Sequence, residues 1–367
     1  MTQTQIKPTR QVAVHPDHGA GVACSQMGIP IHQCDMTLAV QRIQSFVRTG
    51  RQTGRSHQVV TVNADFLVTA HHHDDVHAIL READLALADG MPIVWASTVL
   101  GVKLPERVAG ADLVPTLAAA AADHGHRMML FGGLAGSGEA TARILRNDNP
   151  GLEIASIECK VGQRGETAAE YLEQIRRFDP DILCVALGHP KQERWIRTHA
   201  AALGVPVSIG IGGTLDFISE QRKRAPKWIG AIGFEWLYRL AQEPQRLSKR
   251  YLDDFAVFIP SIVRQMTHMA FADQFRRTEA RVERHSQDSD GLSLSNGRVG
   301  RQTVEQLSLA VHQIRSAGLT PTMELPSYRQ TRALKRERLD RMFTFVPKLD
   351  ERAPETPKYA LIGAGID

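Results

Sequence analysis

Residues able to do chemistry cluster where short apolar runs end. Thr61 and Asn63 close VVTVNAD, Asp89-Gly90 follows LALA, and Gly132, Gly133, Gly136, Ser137 and Gly138 follow RMMLF. Gly188, His189, Pro190, Lys191, Gln192 and Glu193 follow DILCVAL, and Gly210, Gly212, Gly213, Thr214 and Asp216 follow PVSI. Runs this short, apolar and β-branched read as buried strands. In open parallel sheets, ligands bind beyond the carboxyl ends of the strands. A carboxylate in that place suits proton abstraction. Asp89 sits between apolar LALA and Met91-Pro92, surroundings that raise a carboxyl pKa and make it a better general base. The glycine cluster 132–138 precedes a helical pattern, so its N–H groups and the helix dipole are suited to a phosphate.

Each feature also has a plainer reading. Asp-Gly is a turn signal, Ser137 is a natural helix N-cap, and Gln192 and Glu193 are ordinary first-turn residues. The glycines do not fit GxGxxG and no acidic residue stands at the ribose-binding distance, which argues against a nicotinamide-dependent oxidoreductase. A non-catalytic nucleotide-binding scaffold is the other rival, and only turnover separates it from an enzyme. His73 and His77 lie one helical turn apart in the run from His71. However, Asp74 replaces the Glu of HExxH and no third ligand is evident, so a solvated helix face is the better reading. Asp74-Asp75 and Asp253-Asp254 are adjacent pairs, not a spaced DxD. The residues call for no metal and no cofactor.

Strand and helix patterns alternate from about residue 36 to Gly213, which means βαβ units. The expected fold is α/β: a Rossmann-like, largely parallel sheet with helices on both faces, plus a C-terminal helical appendage. The boundaries read as a mobile tail (1–23), the α/β catalytic domain (24–233), a helical membrane-proximal appendage (234–273) and a polar, mostly disordered extension (274–367) with one helix near 304–316. Hydrophobic residues make up 43% of 367, enough for a large core, and the net charge of +4 excludes a nucleic-acid binder on bulk charge. Cys24, Cys34, Cys159 and Cys184 form no spaced pair, which fits a reducing cytoplasm. No signal-peptide pattern opens the chain. The longest apolar stretch, FAVFIPSIV at 255–263, falls short of the roughly 20 residues that span a bilayer. Any membrane contact is therefore peripheral.

Eight ordered blocks resemble one family. They are VVTVNADF (59–66), LADGMPIVWAS (87–97), RVAGADL (107–113), LFGGLAGSGEA (130–140), LGHPKQERWI (187–196), IGIGGTLDF (209–217), RAPKWI (224–229) and FEWLYRLAQEPQRLSKRY (234–251). Together they are similar to the WecG/TagA/CpsF bacterial glycosyltransferases, glycosyltransferase family 26. The resemblance runs from about residue 33 to about 263. It implies an inverting, metal-independent transfer from a UDP-sugar to a polyprenyl-diphosphate-linked saccharide at the inner leaflet of the cytoplasmic membrane, in surface or exopolysaccharide synthesis. The transferred sugar would be N-acetylmannosamine, its uronate or glucose. Asp89 matches the family's catalytic base, and Thr61, Asn63, Arg107 and Gln192 match substrate contacts. Gly132, Gly133 and Gly213 stand where the nucleotide would approach the backbone. Arg239, Arg246 and Arg250 match the appendage arginines expected to meet the departing diphosphate. Their neighbours Trp236, Leu240, Leu247, Phe255, Phe258 and Ile259 would anchor the interface. Self-association stays open. One departure is Ser219-Glu220, where the family commonly has a glycine.

Overall fold

The apolar strand runs are buried on both sides, so the sheet they form must be covered by helices on both faces. The computed structural model describes residues 22–159, 161–162, 167–222, 225–226, 229, 235–274, 282–284, 291–295, 299, 301–316, 321–324, 326, 328–336 and 344–346. Of the tail expected over 1–23, residues 1–21 lie outside this set, and Val22 opens a hairpin of β1 (Val22–Gln26) and β2 (Ile29–His32).

Six strands follow: β3 (His57–Val62), β4 (Leu85–Ala88), β5 (Met128–Gly132), β6 (Ile154–Ile157), β7 (Ile182–Ala186) and β8 (Val207–Gly210). Their order across the sheet is β4-β3-β8-β7-β5-β6, and every pairing is parallel. This is the Rossmann-like arrangement read from the sequence. Because all strands share one direction, all their carboxyl ends lie along one edge.

Side chains alternate across the sheet. Val59, Leu85, Met128 and Leu130 point to one face, with α1 (Met36–Thr53), α5 (Gly110–His124), α6 (Ser137–Asp148) and α9 (Thr214–Ile218). Val60, Val62, Ala86 and Ala88 point to the other, against α2 (Ala64–His72), α3 (Asp74–Glu82), α4 (Met91–Val99) and the hairpin. Met129, Phe131, Leu183 and Val185 continue that second face, under α7 (Ala169–Phe178) and α8 (Lys191–Leu203).

Beyond the sheet, α10 (Glu235–Gln242) and the 31-residue α11 (Pro244–Gln274) supply the helical segment expected after residue 234. Phe258 and Ile262 of α11 are buried in the cluster that holds Phe66 and Leu67, so α11 packs as part of the core. Gln265 ties it to the hairpin, donating to Ser25 O at 2.6 Å and accepting Met27 N–H at 3.2 Å.

Of the extension expected over 274–367, the residues described fall mostly in regular elements. They form α12 (Arg301–Ser316), α13 (Tyr328–Arg336) and a sheet of β9 (Val282–Arg284), β10 (Gly291–Leu294), β11 (Thr322–Glu324) and β12 (Thr344–Val346) in the order β12-β11-β10-β9. Leu292, Leu307, Val311, Ile314, Met323 and Leu334 make its core. Strands of three or four residues within polar sequence are too short to show a period-2 pattern.

The Ser219-Glu220 departure has a conformational cost. Glu220 follows the end of α9 with φ 60, the left-handed geometry that usually takes glycine after a helix. A side chain there costs about 1–2 kcal/mol, against about 0.5–1 kcal/mol for glycine's extra unfolded-chain freedom. Glu220→Gly is therefore expected to stabilise the protein by about 0.5–1 kcal/mol, read as a rise of a few degrees in Tm. An unchanged or lower Tm would contradict it.

Candidate active site

Loops from β3, β4, β5, β7 and β8 meet α10 and α11 around two adjoining cavities. The larger, of about 440 Å³, is lined by Thr61, Asn63, Gly133, His189, Gln192 and Gly213 among others. The smaller, of about 140 Å³, lies under α10 and α11 and includes Arg107, Trp236, Tyr251, Asp254 and Phe255. Asn63, Asp65, Asp89, Glu235, Arg239 and Arg250 line both. Asp89 is therefore at the junction of the two.

Local structure holds Asp89 there. Its N–H extends the β3–β4 ladder by donating to Val62 O at 2.8 Å. Gly90 takes φ 149, a turn closed to other residues, and starts α4 with Pro92 in its first turn. The carboxylate floors the cleft, and desolvation there pushes its carboxyl up to about 6. Arg107, the Gly110 N–H and Arg239 oppose the rise, while Glu235 adds to it. Arg107 cannot give Asp89 its full charge, because it donates to Glu235 at 2.7 Å and lies 3.5 Å from Asp112. A base with a carboxyl near 6 is ionised at neutral pH and still able to take a proton.

The other sequence candidates reach the site in different ways. Thr61 donates its hydroxyl to Gly210 O at 3.0 Å, joining β3 to β8 at the cleft floor. Asn63 caps α2 by accepting Phe66 N–H at 3.2 Å. Gln192 is buried, accepting Gly212 N–H at 2.9 Å and donating to Glu193 at 2.7 Å. Glu193 also holds His189 Nδ1 at 2.8 Å, while the His189 ring stacks on Phe66. Gly210 makes room for this group, since a Cβ there would lie 2.6 Å from Gln192 and 2.8 Å from Glu193.

Gly133 lines the larger cavity and Gly132 does not. Gly132 ends β5 at φ 95, where a Cβ would meet Ala186 O at 2.8 Å, so its task is close strand packing. The glycine loop also spends its amides on protein groups. Gly133 N–H donates to Ala186 O, Leu134 N–H to an Asp216 carboxylate oxygen, Gly136 N–H to Glu158 and Ser137 N–H to Leu134 O. The arginines are better placed for an anion. Arg239 lies over the Phe217 ring at 5.2 Å, and Arg250 Nε is buried without a partner among the described residues. The Arg246 side chain lies outside the described residues.

Of the interfacial set read from sequence, Ile259 is exposed, and Trp236, Leu240 and Phe255 are partly buried. Leu247 and Phe258 are buried, and Trp236 and Phe255 form an aromatic cluster with Tyr251 at the smaller cavity. Among the described residues, the large exposed apolar side chains of α10 and α11 are Leu237, Leu252, Ile259 and Val263. The helical period explains this. Leu247, Asp254 and Phe258 share the face turned to α2, whereas Leu252, Ile259 and Val263 share another. No described helix is long and apolar enough to cross a membrane. The histidine run assembles no site, since His71 and His72 are exposed and His77 is buried. Among the described residues no group of three His, Cys, Asp or Glu could hold a metal ion.

Sequence reading missed Asp65, Glu235 and Asp254. Asp254 is 6% exposed, and burial, with Asp65 nearby, pushes its carboxyl up to about 6. Asp253-Asp254 was visible only as a pair with the wrong spacing for a metal.

The profile of the WecG/TagA/CpsF glycosyl transferase family matches residues 24–270. A Bacillus spizizenii protein named N-acetylglucosaminyldiphosphoundecaprenol N-acetyl-beta-D-mannosaminyltransferase is 33% identical over 189 residues, 51% of this chain and 72% of the relative. Its Staphylococcus aureus (strain MRSA252) namesake is 27% identical over 238 residues, 65% of this chain and 91% of its own length. The Bacillus subtilis (strain 168) namesake is 31% identical over 188 residues, 51% of this chain and 72% of its own.

The raised Asp89 carboxyl carries a stability consequence. The folded value, about 6, exceeds the ordinary 3.8, so the folded state binds this proton more tightly than the unfolded chain does. That contribution is complete below about 3.8 and is lost as pH rises through about 6. Asp89→Asn escapes the loss. Its Tm relative to wild type is expected to rise between pH 4 and pH 6 and then hold level; a difference flat across that window would refute the assigned environment.

Proposed function

The chain belongs to the WecG/TagA/CpsF family of glycosyl transferases, and from that membership we propose that it moves a sugar from a UDP-linked donor to a saccharide carried on polyprenyl diphosphate. The observation carrying this reading is Asp89, a carboxylate with its carboxyl held near 6, on the wall shared by two cavities. In the proposed inverting reaction the acceptor hydroxyl attacks the anomeric carbon and gives its proton to Asp89. The bond from that carbon to the diphosphate breaks, and the electron pair leaves on UDP. Arg239, Arg250 and Arg222, all at the larger cavity, supply fixed positive charge to the departing oxygens. The larger cavity has the size expected of a nucleotide site, within the usual range of about 300–1,000 Å³. N-acetylmannosamine, its uronate and glucose are the candidate sugars. The three named relatives favour the first, since each is called an N-acetylmannosaminyl transferase acting on a diphosphoundecaprenol-linked sugar.

Peripheral contact with the inner leaflet is part of the proposal. Leu252, Ile259 and Val263 form an exposed stripe along α11, with Lys249 and Arg264 beside it, the composition of an interfacial helix.

Transfer is tested with a panel of UDP-sugars and a short-chain lipid-diphosphate-sugar acceptor, read by mass spectrometry. Asp89→Asn and Asp89→Ala are expected to lower turnover at least about a hundredfold, the low end for a lost general base, with UDP binding retained. Wild-type-like turnover by either variant would sink the assignment. A Leu252→Glu/Ile259→Glu double variant is expected to lose co-sedimentation with phosphatidylglycerol vesicles while keeping activity on a soluble acceptor. Unchanged sedimentation would remove α11 from the membrane contact.

A further inference from the structure

The two cavities meeting at Asp89 share Arg239 and Arg250 and differ elsewhere. The larger adds the strand-end loops and Arg222, the surroundings an anionic nucleotide requires. The smaller adds Arg107 and the aromatic side chains Trp236, Tyr251 and Phe255 of α10 and α11. The Trp236 ring meets Phe255 edge-on at 5.5 Å and Tyr251 edge-on at 6.0 Å. Set among them is Asp254, one turn beyond Arg250 on α11 and only 6% exposed. Burial is the main influence on this carboxyl; Asp65 and Asp253 push it in the same upward direction, and Arg250 and His189 oppose them.

Two features point to a ligand. Asp254 is a buried carboxylate that the transfer chemistry at Asp89 does not use. The Trp236 Nε1–H is buried and has no partner among the described residues. Buried donors are nearly always satisfied, so an unmatched one on a ring that lines the cavity marks a site whose polar groups are incomplete without a ligand. A chamber that sets aromatic faces beside convergent polar groups is a usual form of small-molecule site. At about 140 Å³ the chamber suits a single pyranose ring, not a nucleotide-sugar. A pyranose offers C–H faces to aromatic rings and hydroxyl or amide donors to a carboxylate, and this lining matches both.

We propose that the smaller cavity is the acceptor-sugar subsite, in which Asp254 accepts a hydrogen bond from a hydroxyl or amide N–H of that sugar and Trp236 bounds its ring face. This rests on the reading of Asp89 as the transfer base. The acceptor's attacking hydroxyl then points to Asp89, across the wall formed with Asn63, while the donor occupies the larger cavity. Asp254 neither forms nor breaks a covalent bond. It selects the acceptor, because a site built to receive a substrate hydrogen bond is left with an unmatched buried group by a sugar lacking it.

The test compares wild type, Asp254→Asn, Asp254→Ala and Trp236→Phe, each checked for wild-type thermal unfolding, using UDP-N-acetylmannosamine as donor, UDP for binding, and a short-chain lipid-diphosphate-sugar acceptor. Asp254→Ala is expected to lower kcat/KM for the acceptor about ten- to hundredfold, the loss of one hydrogen bond to a charged group. Asp254→Asn should recover part of that loss, and Trp236→Phe should raise acceptor KM. UDP affinity and slow donor hydrolysis without acceptor should stay at wild-type levels in all three. Should an Asp254 variant unfold, Trp236→Phe and an acceptor analogue lacking one hydroxyl, assayed on wild type, carry the test. A fall in UDP affinity would overturn the proposal by giving the chamber to the donor, and unchanged acceptor kinetics would overturn it outright. Wild type failing to transfer to any lipid-linked acceptor would instead defeat the proposed function itself.

Discussion

The site depends on how one charge pair is shared. A carboxylate at the end of a buried strand is pulled two ways: removal from water raises its proton affinity, and a nearby guanidinium lowers it. Arg107 opposes the rise without outweighing burial, and Glu235, which pairs with Arg107 at 2.7 Å, adds to it. Arg107 belongs to the segment leading into α5 and Glu235 opens α10, so a single ion pair both fastens the helical segment to the sheet domain and leaves Asp89 basic. Removing α10 would therefore alter the base as well as uncover the cleft. Electrostatics and assembly are one feature here.

Much of the sheet was legible because parallel strands buried on both faces must be apolar throughout. LALA became β4 residue for residue, and the runs at β3, β5, β7 and β8 fell within a residue or a few of their bounds. Other elements gave no periodic signal. MPIVWASTV is apolar on every side, so α4 has no stripe to detect. The α2 helix hides at the end of a strand-like run, beginning one residue after Asn63. The β1–β2 hairpin turns through Met27 and Gly28, both at positive φ, and Met-Gly is not the Asn-Gly or Asp-Gly signal such turns usually carry.

The site divides along the same line. Thr61, Asn63, Asp89, Gln192 and Gly213 were readable because strand direction alone sends them to one edge. Glu235 and Asp254 were not. Glu235 meets Arg107 across 128 residues of chain and Asp254 lies near Asp65 of α2, and no local spacing records such encounters. The state of the glycine loop was hidden for a related reason. Its composition suits an anion, but whether its amides are free depends on distant groups, and Asp216 and Glu158 had already claimed two of them.

The geometry of α11 sets a length scale for the proposed reaction. At 3.6 residues per turn, Asp254 and Phe258 lie roughly 140° around the helix from the stripe of Leu252, Ile259 and Val263. One side of the rod meets the reaction chamber and nearly the opposite side meets its surroundings. A helix with its side chains is about 10–12 Å thick. If the stripe rests among lipid headgroups, a sugar tethered to the bilayer by its diphosphate has only that thickness to climb, so its isoprenoid chain can remain in the hydrocarbon throughout the reaction.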